Sequence, residues 1–307
     1  GNYAFQESSI SLNIVGNSID ISQVFSVFPV EFLSILQTYK AKGEFEFEAS
    51  LIGELSKQKT PFLTANFAIN NGSIVEKTTN TELSAINLLG SFSSSINKEP
   101  EWVNVSSFEA VLGKEKCEGS FLISNFKEPA IDLKISSNFP VKELIGFSNI
   151  SIGETSGFID TDFNLKLKYN KLQDVYLIQN IEGEFILVDC SLINKGDNYS
   201  IDAVNGALAT NNGQLTSNKF KGMFNGSTFS GNLTVLNFKK LITSQNKVPV
   251  LTGNIDLDYL LVDDFLLGQK EDSSRFFIPD SIDLDVRLAL KKMKYSEFEA
   301  KNIKGNI

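Results

Sequence analysis

Apolar and polar residues alternate strictly over long stretches of the chain. Between residues 43 and 51, Phe45, Phe47 and Leu51 fall on one side of an extended backbone, and three glutamates fall on the other. A period of two is typical of strands with one dry face and one wet face. The same alternation recurs over residues 131–135, 159–169, 255–261 and 282–290. The pattern therefore predicts an all-β protein that is rich in antiparallel strands.

Helical periodicity is confined to short stretches, of which residues 29–42 form the longest. Pro29 suits the first turn of a helix, the apolar residues after it recur at helical spacing, and Gly43 supplies a C-terminal stop. Shorter helices are predicted over residues 21–28, 141–145 and 239–242. We expect these short amphipathic helices at the junctions between repeated groups of strands.

Two segments of the chain align with each other without a gap. Residues 108–126 match residues 220–238, and Gly43, Gly157 and Gly253 each open a strand of alternating pattern. An approximate tandem copy of several strands fits one elongated, strongly curved sheet that grows along a single axis. Two similar β-sandwich domains are the alternative, because repeats of this length also occur as separate domains.

The repeats divide the chain into four segments. Residues 1–42 hold an N-terminal strand and amphipathic helices, residues 43–156 form repeat unit 1, residues 157–252 form repeat unit 2, and residues 253–307 begin repeat unit 3. No linker rich in proline, glycine or charge separates them, so we expect one continuous structure. The pattern breaks off at Ile307, and we therefore expect the chain to be a piece of a longer protein.

Histidine is absent from all 307 residues, which removes much of the usual chemistry of active sites. The commonest general base, the commonest transition-metal ligand and every Ser-His or Cys-His pair are lost together. Cys117 and Cys190 lie far apart without metal-ligand spacing. We therefore predict no enzyme activity, no catalytic residues, no bound metal and no cofactor. A net charge of −9 with scattered Lys and Arg also predicts that nucleic acid is not a partner.

Acidic pairs offer one alternative, since glycosidase and calcium sites both need convergent carboxylate oxygens. The pairs are Asp160 with Asp162, Asp256 with Asp258, and Asp263 with Asp264. In the two alternating pairs, both side chains fall on the polar face of a predicted strand. A solvated strand face is therefore the preferred interpretation of these residues.

The ordered repetition of these motifs resembles the AsmA-like family of envelope proteins of diderm bacteria, which includes the TamB type. The likeness is carried by the Gly-x-Φ-x-Φ strand openings at Gly43, Gly157 and Gly253, and by turns around Gly206 and Gly305. The segment 220–238, with the short apolar stretch that follows it, adds to them. The resemblance implies a β-groove anchored in the inner membrane by a segment outside this chain.

The same resemblance implies a periplasmic protein that moves phospholipid or another acyl-chain lipid and supports outer-membrane assembly, with envelope proteins as possible partners. An apolar groove suits acyl chains, because each methylene removed from water contributes about 0.8 kcal/mol. Candidate lining residues are those on the dry sides of the predicted strands. They are Phe45, Phe47, Leu51, Ile159, Phe163, Leu165, Leu167, Ile255, Leu257, Tyr259, Leu284, Val286 and Leu288.

Two further functions stay open at the level of sequence. A repetitive β-sandwich adhesin or glycan-binding module would need exposed aromatic platforms, yet Trp102 is the only tryptophan. A polysaccharide-cleaving β-helix is disfavoured, because its coils repeat far more often than every hundred residues or so.

Overall fold

The computed structural model describes most of the chain at the level of individual residues. It covers residues 8–24, 38–55, 60–95, 99–148, 153–172, 175–194, 199–211, 213–239, 248–263 and 282–307. Most of these residues lie in β-strands, which confirms the all-β prediction.

Within the described ranges, fifteen strands form one sheet in which spatial order follows chain order. Nearly all of the neighbouring pairs with a described register are antiparallel, and β13 and β14 run parallel. The strands are β1 Ser8–Asp20, β2 Tyr39–Leu55, β3 Phe62–Glu76, β4 Glu82–Ser93, β5 Trp102–Leu112, β6 Glu115–Ser124, β7 Ala130–Pro140, β8 Glu154–Asn170, β9 Val175–Asn194, β10 Tyr199–Asn211, β11 Gln214–Phe224, β12 Ser227–Leu236, β13 Val250–Leu261, β14 Asp283–Tyr295 and β15 Phe298–Asn306.

Two short helices are described, and they only partly match the predicted ones. Helix α1 spans Ile21–Val24 and helix α2 spans Val141–Ser148, which confirms the prediction over residues 141–145. The predicted helix over residues 29–42 is wrong at its C-terminal end, because Tyr39 already begins β2. Tyr39 pairs with Glu76 in β3, so sheet hydrogen bonding outweighs the local helical pattern. Residues 29–37 of that prediction, and most of residues 239–242, lie outside the described residues.

The chain divides into two compact units. Unit 1 comprises Gly1–Ile135 and Leu165–Leu177, and unit 2 comprises Ser136–Asn164 and Ile178–Ile307. The predicted boundaries after residues 42, 156 and 252 mark sequence repeats rather than these units, and they stay a prediction.

The glycines used to locate strand openings lie inside strands. Strands β2, β8 and β13 begin three or four residues before Gly43, Gly157 and Gly253. Gly206 and Gly305, expected in turns, lie within β10 and β15. Gly157 shows why glycine occurs within a strand: its φ is +91°, and a Cβ there would collide with the backbone carbonyl of Asp189.

The repeat detected in the sequence is present in the strands. β11 and β12 have the same lengths as β5 and β6, and both begin and end 112 positions later. Each hairpin contains a bulge at the same place, between Val105 and Phe108 in the first and between Ser217 and Phe220 in the second. The match extends to the backbone irregularities, so the repeat is structural and not only compositional.

Candidate functional site

One face of the sheet in unit 1 is apolar from strand to strand. Residues directly opposite each other on neighbouring strands share a face. Two cross-strand lines of directly paired residues, each crossing six strands, establish this face. The first runs Ile19, Phe45, Ile69, Leu88, Phe108, Gly119, and the second runs Gly16, Phe47, Phe67, Gly90, Val105, Phe121. We call these residues, with Leu12, Leu51, Ala110, Leu112 and Cys117, the apolar face of unit 1.

The opposite face of the same strands is largely polar, although it also carries Val15, Ile52 and Leu89, which are 63%, 55% and 58% exposed. Glu44 and Glu48 lie opposite Asn70 and Asn66 of β3. Asn66 in turn lies opposite Ser91 in β4. The alternation predicted from the sequence therefore separates a wet face from a dry face over these strands.

An equivalent apolar face exists in unit 2. Phe229 of β12 lies opposite Leu257 of β13, Leu257 opposite Leu290 of β14, and Leu290 opposite Ile303 of β15. The residues that share a face with these four form the apolar face of unit 2. It comprises Phe163, Phe185, Leu187, Leu208, Phe220, Phe229, Leu233, Val235, Leu251, Ile255, Leu257, Leu284, Val286, Leu288, Leu290 and Ile303.

Cross-strand pairs of phenylalanine with glycine recur on both apolar faces. In five directly paired positions, a Cβ built on the glycine would lie within 3.1 Å of the opposing ring. The absent side chain therefore leaves room for an aromatic ring to lie flat against the neighbouring strand, which shields the glycine backbone. The pairs are Phe47 with Gly16, Phe67 with Gly90, Phe108 with Gly119, Phe220 with Gly231, and Phe229 with Gly222.

The structure places the predicted lining residues in both units. Phe45, Phe47, Leu51, Leu165 and Leu167 belong to unit 1, and Ile159, Phe163, Ile255, Leu257, Tyr259, Leu284, Val286 and Leu288 belong to unit 2. All but two are half-buried. Leu284 is 46% exposed, and Val286 is 4% exposed although it shares the same face. Within unit 2, the Phe163 and Phe185 ring centroids lie 5.4 Å apart.

Several members of the apolar faces were missed by the alternation pattern. Val105 and Leu112 in β5 are nearly fully buried, as is Val235 in unit 2. The bulge after Val105 shifts the alternation by one residue, so a strict period of two does not connect Val105 with Phe108. Leu112 and Val235 lie within the gapless repeat between residues 108–126 and 220–238, and that repeat was the signal that could have identified them.

A charged cluster occupies one end of the apolar face of unit 2. Beyond Leu290, the same side of β14 carries Lys292, which lies opposite Lys301 of β15 and beside Tyr259 of β13. The Glu299 carboxylate is 3.0 Å from Lys292 Nζ and 3.6 Å from Lys301 Nζ. Its hydrogen bond with Lys292, aided by the positive charge of both lysines, holds the pKa of Glu299 below its ordinary value. Lys292 Nζ also lies 5.9 Å from the centre of the Tyr259 ring.

The acidic pairs do not form a described site. Asp160, Asp162, Asp256 and Asp258 are exposed, and Asp258 makes an ion pair of 2.7 Å with Lys291. Asp264 lies outside the described residues. In the part of the chain that the structure describes, no three Cys, Asp or Glu side chains gather as a metal ion would require.

No helix formed by the described residues is long and apolar enough to cross a bilayer. Comparison of the chain with protein-family models, with curated proteins and with solved structures found no match.

Proposed function

We propose that each of the two apolar faces lines a groove that binds the acyl chains of phospholipids, and that the chain acts as a periplasmic lipid-transfer segment of the AsmA-like type. The observation that carries this proposal is the cross-strand register. It aligns apolar side chains over β1–β6 in unit 1 and over β9–β15 in unit 2. A lipid tail needs such a continuous surface rather than a single pocket.

Partial exposure of the apolar side chains supports a ligand on these faces. Leu12 and Ile14 in unit 1 are 44% and 42% exposed, and Leu284 in unit 2 is 46% exposed. All described strands belong to one hydrogen-bonded sheet, so the described residues contain no separate second sheet of the kind that completes a sandwich. An acyl chain on such a face gains about 0.8 kcal/mol per buried methylene.

A uniform apolar surface would move lipid without chemistry. A tail that slides from one cross-strand line to the next exchanges similar contacts, so its free energy changes little at each step. The protein is therefore proposed to be a carrier and not an enzyme, with low specificity for the acyl chain. Anchoring in the inner membrane and contact with envelope proteins belong to the same proposal and rest on the family resemblance.

Lipid retention tests this function directly. The chain is purified from bacteria, extracted with organic solvent and analysed by mass spectrometry for phospholipid. The delipidated protein is then offered vesicles that contain a fluorescent phospholipid. We expect stoichiometric phospholipid after purification and renewed uptake by the delipidated protein. A chain that neither retains nor takes up phospholipid would contradict the proposal, and binding on a glycan array would favour the adhesin instead.

A matched pair of variants locates the binding face. Leu257→Asp places a charge on the apolar face of unit 2, whereas Asn254→Asp places the same charge at an exposed position on the other side of β13. We expect Leu257→Asp to reduce uptake by about tenfold or more, since a buried carboxylate next to an acyl chain is strongly unfavourable. Asn254→Asp should leave uptake unchanged.

A further inference from the structure

The charged cluster at the end of the apolar face of unit 2 has the arrangement of a lipid headgroup site. Along β14, the side that carries Leu288 and Leu290 continues into Lys292 and Lys294. Lys301 lies opposite Lys292, and Glu299 lies opposite Lys294. One continuous face therefore changes from apolar to basic within a single step along the strand.

Two ammonium groups of this cluster already converge on one anion. Lys292 and Lys301 both reach the carboxylate of Glu299, at 3.0 Å and 3.6 Å. Their side chains are 42% and 69% exposed, and that of Glu299 is 40% exposed. Ion pairs at this exposure stabilise a protein little, so another anion can displace the carboxylate. Lys294, which lies opposite Glu299 in the register, adds a third positive charge to the same side of the sheet.

We propose that this cluster binds the phosphate of an anionic phospholipid whose acyl chains lie on the adjacent apolar face. This inference rests on the proposed function, and it adds a preference for headgroup charge to a face that otherwise selects only for apolar chains. Lys292 and Lys301 contact the phosphate, and Glu299 holds them in place when no lipid is bound. Tyr259 lies next to Lys292, where the apolar residues of β14 give way to lysines.

The opposite face of the same two strands provides a matched control. Lys291 and Lys304 lie on the other side of β14 and β15, since they neighbour Leu290 and Ile303 in sequence. Lys291 pairs with Asp258 there. Lys292→Gln/Lys301→Gln and Lys291→Gln/Lys304→Gln therefore remove the same charge from the same strands on opposite faces. Circular dichroism and thermal unfolding check that both double variants fold.

The experiment compares uptake of two lipids by the delipidated chain. Phosphatidylcholine vesicles carry either fluorescent phosphatidylglycerol or fluorescent diacylglycerol, which lacks the phosphate. We expect the unmodified chain to prefer phosphatidylglycerol and Lys292→Gln/Lys301→Gln to reduce that preference by about five- to thirtyfold, because each lysine near an anionic headgroup contributes about fivefold. Lys291→Gln/Lys304→Gln should retain the preference, and Glu299→Gln should increase it by removing the competing carboxylate.

Two results would overturn the headgroup site while leaving acyl-chain binding intact. One is equal uptake of phosphatidylglycerol and diacylglycerol by the unmodified chain. The other is an equal loss of preference in the two double variants, which would indicate an effect of total charge. Uptake of neither lipid would overturn the proposed function itself, and the headgroup site with it.

Discussion

The β5–β6 hairpin of unit 1 and the β11–β12 hairpin of unit 2 have the same backbone register, but their side chains pack differently. Both have a bulge at the same step and the same pairing of phenylalanine with glycine, Phe108 with Gly119 and Phe220 with Gly231. The ring that contacts the shared phenylalanine differs. It is Phe121, two residues after the glycine, in unit 1, and Phe229, two residues before it, in unit 2.

The different position of the second aromatic ring is accompanied by a different residue at the directly paired position of the neighbouring strand. In unit 1, Cys117 lies opposite Ala110, whereas the equivalent positions in unit 2 hold Phe229 opposite Gly222. A larger residue on one strand is matched by a smaller one on its partner. The comparison indicates that the repeat conserves backbone register and local volume rather than particular side chains.

The largest expected effect comes from the glycine common to both hairpins. A Cβ at Gly119 would collide with the carbonyl oxygen of Lys134, and a Cβ at Gly231 would collide with that of Asn254. Because backbone atoms cannot move aside easily, Gly119→Ala and Gly231→Ala should each reduce the free energy of unfolding by about 3 kcal/mol. Urea unfolding followed by circular dichroism measures both. An undisturbed Gly231→Ala beside a destabilised Gly119→Ala would break the equivalence of the hairpins.

Exchange of the compensating pair should show coupling. Cys117→Phe alone inserts a ring against Ala110 and should cost about 2 kcal/mol of stability through overpacking. Adding Ala110→Gly reproduces the pair found in unit 2, so about 1 kcal/mol should be recovered. A double-mutant cycle in urea gives the coupling energy. Simple additivity of the two changes would show that the volumes are not matched across the strands.

A smaller gain in stability is expected at Ser217, the position equivalent to Val105. Both residues are buried, at 2% and 1% exposure, and among the described residues Ser217 Oγ has no hydrogen-bond partner. Ser217→Val should raise the free energy of unfolding by about 1 kcal/mol, because an unsatisfied buried hydroxyl is removed.

Thr210 is the control, since its Oγ1 donates a hydrogen bond to the carbonyl oxygen of Ile181 at 3.1 Å. Thr210→Val should lower stability by about 1 kcal/mol. The same sign for Ser217→Val would contradict the interpretation of Ser217.

The smallest effect is a dependence on pH at one hairpin. Glu76 ends β3, and its carboxylate accepts hydrogen bonds from the backbone N–H groups of Thr79, at 2.6 Å, and Thr78, at 2.8 Å. These bonds hold the pKa of Glu76 below its ordinary value, and the bond from the Thr79 N–H contributes most. The stabilisation is therefore present above the unfolded-state pKa of about 4.3 and is lost as pH falls through the folded-state pKa.

Hydrogen exchange can locate that loss. Protection of the β3–β4 hairpin should decrease in acid, whereas the β11–β12 hairpin of unit 2 contains no Asp or Glu between Gln214 and Leu236. Glu76→Gln should abolish the acid dependence. Equal acid sensitivity of both hairpins would point to a general charge effect.

The sequence predicted those parts of the fold that depend on alternation. Phe45, Phe47 and Leu51 lie on one face because a strand of period two requires it, and the alternation over residues 255–261 and 282–290 corresponds to β13 and β14. Alternation carries no information about strand direction, so the parallel pairing of β13 with β14 could not be predicted.

Tertiary pairing and local bulges account for the remaining differences. Tyr39 fits a helical stripe with the residues before it, yet its partner in β3, Glu76, is 37 positions away in the chain and outside any local pattern. At the charged cluster, Lys292 and Lys301 become neighbours only through the register of β14 and β15. The sequence places Lys291, Lys292 and Lys294 close together in the chain, but it does not show which of them lies beside Lys301.

The parallel pair has a consequence for how the molecule reaches its native state. In an antiparallel hairpin such as β11–β12, strand pairing can begin at the turn, where Phe224 and Ser227 are three positions apart, and then extend along the strands. In β13–β14 every rung joins residues 33 positions apart, from Val250 with Asp283 onward. No rung is close in sequence, so the entropy of closing a long loop falls on the first one formed. The β13–β14 pairing should therefore be the last part of unit 2 to form during refolding. The apolar face of unit 2, which crosses this pair, should become continuous only at that step.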